Sequence, residues 1–124
     1  MNDVSPIVAT QTAGLPKPVA DDLLEAARCW SFGAYRGAAL LARRAVEQAA
    51  VMRRMPLEMR TLHQKIGWLL QEGHLPRDLV ADARTVRDVG TAAAHGGEAV
   101  TSDEAHVMVS SALVVVSAVL ATGE

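Results

Sequence analysis

The chain has 124 residues, a single cysteine and a formal net charge of −2; half of its residues are hydrophobic and only 3% are aromatic. That length can bury a core without cross-links, and the lone Cys29 excludes a disulfide framework within the chain. The Ala- and Val-rich mix suits closely packed helices rather than a sheet with aromatic cross-strand pairs, and from a free thiol with no secretory leader pattern a cytoplasmic protein is expected.

Residues 1–17 read as an N-terminal arm or linker, punctuated by Pro6, Gly14 and Pro16, and residues 18–124 as one helical domain. A first helix starts near Pro18, which its first turn tolerates, and carries Val19, Leu23, Leu24, Ala27 and Trp30 at helical spacing. Asp21 and Asp22 then fall near the positive end of its dipole. A second helix, over residues 34–54, gathers Tyr35, Ala38, Ala42, Ala45, Val46 and Ala49 on one side and Arg36, Arg43, Glu47 and Arg54 on the other. Pro56 ends it. A third, over residues 58–72, has the stripe Met59, Leu62, Ile66, Leu69 and Leu70, and Gly73-His74-Leu75-Pro76 is a turn.

The fourth helix carries Leu79, Ala83, Val86, Val89, Gly90 and Ala93 and stops at Gly96-Gly97. Thr101 and Glu104 form a capping box that opens a fifth, and residues 105–121 then contain no formal charge. A membrane span is not expected, because the run falls short of about 20 apolar residues and contains His106 and three serines. It reads instead as a buried helix, or one shared with a second subunit. The expected fold class is all-α: a bundle of four to five antiparallel helices joined by short turns.

Charge is unevenly distributed. Residues 28–65 carry an excess of six positive charges, flanked by acidic segments, and ten of the twelve basic residues are Arg. Such a stretch is either a solvated helix face or a surface for nucleic acid or another acidic partner, with Arg36, Arg43 and, further on, Arg84 as the candidate contacts. Arg44 and Glu47 have the spacing of an intrahelical pair. His63, His74, His95 and His106 are scattered, with no ligand spacing among them, so neither a metal nor a cofactor is expected. Ser110, Ser111 and Ser117 are expected to bond their own helix backbone.

The segment from Arg84 to His95 is the most informative chemically. Arg84, Arg87, Thr91 and His95 step by three or four along one helix side, and the residues nearest His95 are small. An imidazole on a last helical turn, with Arg on the same side, is a plausible acid–base and phosphate-binding pair.

Several stretches in order resemble the HEPN-like helical domains, in particular a bacterial branch of unknown function. They are Leu15-Pro16, Asp22-Leu23-Leu24-Glu25-Ala26, Gly33-Ala34-Tyr35-Arg36-Gly37, Arg43-Arg44-Ala45-Val46-Glu47, Leu62-His63-Gln64-Lys65-Ile66 and Val86-Arg87-Asp88-Val89-Gly90 running to Ala94-His95. The resemblance implies a homodimer with the His-bearing helix ends facing each other, and an RNA-associated protein of bacterial defence or stress. It implies a metal-independent endoribonuclease site in which His95 moves protons and Arg87 steadies the phosphate charge. The position of the family motif's own Arg falls on Gly90. The alternative is therefore a non-catalytic dimerisation or adaptor module that has lost that Arg.

Overall fold

The computed structural model describes residues 5–96 and 99–121, the side chains from Val8 onward. Among these residues lie six α-helices and no strand: α1 (Ser5–Gln11), α2 (Lys17–Ser31), α3 (Tyr35–Met52), α4 (Leu62–Gln71), α5 (Val80–His95) and α6 (Ser102–Ala121). A single 3₁₀ turn at Arg77–Leu79 leads into α5. Residues 1–4 of the expected arm, Gly97 of the expected Gly96-Gly97 stop and residues 122–124 lie outside the described residues.

The segment read as an arm is in part structured. It contains α1, whose Val8 is buried in the core, and Thr12 is buried beyond it with its hydroxyl donating to the Val8 carbonyl at 2.8 Å. A helix of seven residues is marginal alone, so packing against α2 holds it.

α2 begins one residue before Pro18, which moves Asp21 and Asp22 out of the first turn. They do not meet the dipole. Asp21 pairs with Lys17 at 2.7 Å on the surface, while Asp22 is buried and accepts from Gln48 on α3 with Arg44 at 3.4 Å. Arg44 is thus taken by Asp22 rather than by Glu47, which instead faces Arg43 at 3.6 Å and Lys65 at 2.7 Å.

α3 is the central slat. Ala38, Ala39, Ala42, Ala45, Ala49 and Ala50 are all buried, and their small side chains let α2 and α6 pack against its backbone. Val46 and Leu23 add bulk to this layer. The next helix starts later than its apolar stripe suggests, because Thr61 caps it. Its hydroxyl accepts from the Gln64 N–H at 3.1 Å and the Gln64 side chain accepts from the Thr61 N–H at 3.1 Å, so Glu58 and Met59 lie outside α4.

α6 is long and apolar enough to cross a membrane by length and composition alone. Its buried residues, including Met108, Val115, Val116 and Val119, pack against α3, α5 and α2. Ser111 does not bond its own backbone; its hydroxyl donates to Asp82 of α5 at 2.9 Å. The Thr101–Glu104 box closes as the spacing suggests, with Glu104 accepting from the Thr101 N–H at 2.9 Å and Thr101 accepting from the Glu104 N–H at 3.1 Å. Replacing Thr101 with Ala is expected to lower stability by about 1 kcal/mol, measured by denaturant melts; an unchanged midpoint would show that the cap contributes nothing.

Trp30 ties the start of α6 to α2. Its indole N–H donates to the Ser102 carbonyl at 3.0 Å and its ring meets His106 at 5.0 Å between centroids. Next to it, burial and the nearby Glu25 carboxylate push the Cys29 thiol above its ordinary pKa.

Candidate functional site

Several cations of residues 28–65 are engaged by the fold, although Arg28, Arg36, Arg44, Arg54 and Arg60 remain exposed. Arg36 Nε donates to the Ala93 carbonyl at 2.9 Å, and its guanidinium lies against Gly96, the left-handed residue (φ 71°) that ends α5. Arg43 donates to the Gly90 carbonyl at 3.2 Å. Arg53 Nε donates to the Val119 carbonyl at 2.9 Å, in the last turn of α6. Carbonyls of a last helical turn have no intrahelical partner and carry the negative end of the dipole, so a guanidinium over them is favourable twice. Arg36 and Arg53 therefore act as remote C-caps for α5 and α6. Arg43 lies between them in α3, joined to Glu47 and through it to Lys65 of α4.

Sequence reasoning marked Arg36 and Arg43 as nucleic-acid contacts. The fold gives both an internal bond, although Arg36 stays exposed, and leaves Arg84 as the member of that set without one.

His95 and Arg87 share α5, as the spacing implies, but line different clefts. His95 is exposed and lines a cleft of about 340 Å³ walled by Asp88, Ala92, Val100 and Glu104. Arg87 lines a groove of about 240 Å³ between α4 and α5, with Arg84 and His63. Eight residues of helix separate the two side chains by about 12 Å along the axis. Arg87 Nε also holds Asp88 at 2.9 Å. In a single chain, then, the imidazole and the guanidinium do not converge on one phosphate, and the cleft of His95 presents two carboxylates, which repel one.

Gly90 is the position at which the resemblance to HEPN-like domains expects an Arg. It is buried, and a Cβ placed on it would come within 2.9 Å of Leu62 Cδ2 and 3.3 Å of Met108 Cε. The position faces the junction of α4, α5 and α6 and has no room for a guanidinium. The sequence carried the signal: Gly90 is one of the small residues that let another segment come close, at a mid-helix place where Gly costs about 1 kcal/mol relative to Ala.

Among the described residues no three His, Cys, Asp or Glu side chains are grouped to hold a metal ion. No curated protein and no solved structure matches the chain. A family described as "Domain of unknown function (DUF4145)" matches residues 24–122, from within α2 to just past the end of α6. The all-helical domain described above belongs to that family, DUF4145.

Proposed function

We propose that this domain is a HEPN-like binding module of a bacterial defence or stress system, non-catalytic and cytoplasmic, which acts as a homodimer. The observation that carries the non-catalytic reading is Gly90: the position of the motif's Arg is a packing contact, not an open site. The separation of Arg87 and His95 into two clefts, and the carboxylates of Asp88 and Glu104 beside His95, support it further. Dimerisation draws on the exposed, uncharged side of α6, where Val107 and Val114 face solvent. Light scattering at tens of micromolar, an order-of-magnitude choice for a standard interface, would give twice the chain mass.

The second reading keeps the same fold and makes it a metal-independent endoribonuclease. What favours it is His95 itself, exposed on the last turn of α5 and open to a second copy. The deciding experiment is RNA cleavage in chelator, comparing wild type with His95→Ala at matched dimer concentration. The binding-module reading expects no cleavage by either protein. Cleavage by wild type that disappears in His95→Ala would overturn it, because an exposed residue at a helix end carries little packing energy and its loss leaves the fold intact.

A further inference from the structure

The strongest uncommitted chemistry in the molecule lies between α4 and α5. The helices are in contact where Leu62 meets Gly90, and the groove beside that contact is continuous, since Gly67, Leu70 and Val80 line both of its halves. Its floor is apolar: Ile66, Leu70, Val80 and Ala83. Cations line its edges, with Arg84 and Arg87 in one half and Arg77 in the other. Elsewhere Arg36, Arg43, Arg44, Arg53 and Lys65 are engaged by the fold. Among the described residues the guanidinium groups of Arg77 and Arg84 in the groove, like those of Arg28, Arg54 and Arg60 outside it, hold no ion pair or side-chain hydrogen bond, and only the first two sit beside an apolar floor.

Gly67 is the second observation. It sits mid-way along the short helix α4, exposed, and a Cβ on it would meet nothing within 4 Å. Glycine at such a place weakens the helix and is required neither by backbone conformation nor by internal packing. What it supplies is an approach to the α4 backbone from the groove side.

We infer that this groove docks an acidic, apolar segment of a partner protein, with apolar side chains on the Ile66–Leu70–Val80 floor and carboxylates at Arg77, Arg84 and Arg87. The inference rests on the binding-module reading and gives it a partner chemistry. Charge complementarity selects the acidic residues and the floor selects the apolar ones, the pattern of an amphipathic helix laid in a groove. Single-stranded nucleic acid fits less well, because no Phe, Tyr or Trp lines the groove to stack a base.

The test is selection of a display library of random helix-forming peptides on the immobilised full chain. Enriched peptides should combine acidic and apolar residues, and should bind about tenfold more weakly to Arg84→Glu and to Gly67→Leu. Gly67→Leu fills open space and replaces a poor helix former, so its melting temperature should equal or exceed that of wild type. No enrichment, enrichment without acidic residues, or binding that survives both substitutions would overturn the inference. So would a labelled single-stranded RNA that binds in place of such peptides and is lost in Gly67→Leu. The chelator cleavage assay separates the two levels. RNA cutting through His95 with intact peptide binding removes the non-catalytic reading and leaves the groove. Neither cutting nor peptide binding removes the groove alone.

Discussion

Gly90→Arg, which puts an arginine where the proposed likeness to HEPN-like domains expects one, is expected to destabilise the domain by about 3 kcal/mol or more rather than create a nuclease. A Cβ alone would press on Leu62 Cδ2 at 2.9 Å and Met108 Cε at 3.3 Å, and Arg43 Cδ lies 3.5 Å away. Leu62 and Met108 are both buried, so the chain beyond that Cβ must either force α4 away from α5 or bury a second guanidinium beside Arg43. Denaturant unfolding measures the loss, and a variant that folds with wild-type stability would show that the junction is loose enough to admit a side chain. Gly90→Ala is the milder control. The two contacts nearest its Cβ are ends of flexible side chains, and the gain in helix propensity of up to about 1 kcal/mol partly offsets their displacement.

Arg43→Ala is expected to lower stability by about 2 kcal/mol. Its side chain is 21% exposed, donates to the Gly90 carbonyl and faces Glu47, which shares Lys65. Removing it leaves Glu47 with one cationic partner instead of two in a half-buried place. The same substitution in an RNA-binding assay must therefore be read beside a melting curve. A loss of affinity that tracks the loss of folded protein is a stability effect. Unchanged stability would place Arg43 among solvated charges and return it to the list of candidate surface contacts.

The helical class and most of the core were legible in the residues, because apolar spacing and burial have one cause. Val19, Leu23 and Ala27 of α2, Leu62, Ile66 and Leu69 of α4, and Ala83, Val86 and Ala93 of α5 fall inside where the 3.6-residue period puts them. The Thr101–Glu104 box was legible too, since its four residues are contiguous. The cations were not. Arg36 and Arg53 look like surface charge, and only a carbonyl 57 or 66 residues further on makes them caps. Asp22 and Ser111 fail the same way: each is read locally as a helix-end or helix-backbone partner, and each has its partner on another helix. At the candidate site, shared side and shared cleft are different things. Arg87 and His95 lie on one helix, but α4 walls the groove at the first, while the segment around Val100 and Glu104 walls the cleft at the second.

The order in which the chain is made gives the arginine caps a consequence for folding. During synthesis α3 emerges well before α5 and α6, yet its alanine-lined surface needs α6 as cover, and Arg36 and Arg53 need the carbonyls of Ala93 and Val119. Until α6 has left the ribosome, α2 and α3 form a hairpin with one apolar side open, Arg36 meets the Ala93 carbonyl only once α5 has emerged, and Arg53 reaches the Val119 carbonyl only with α6. Completion then depends on contacts spanning about half the chain, the slow kind to form because long loops close before any bond is gained. A nascent chain stalled before α6 should accordingly be sticky and protease-sensitive, and protection should arrive in one step with α6.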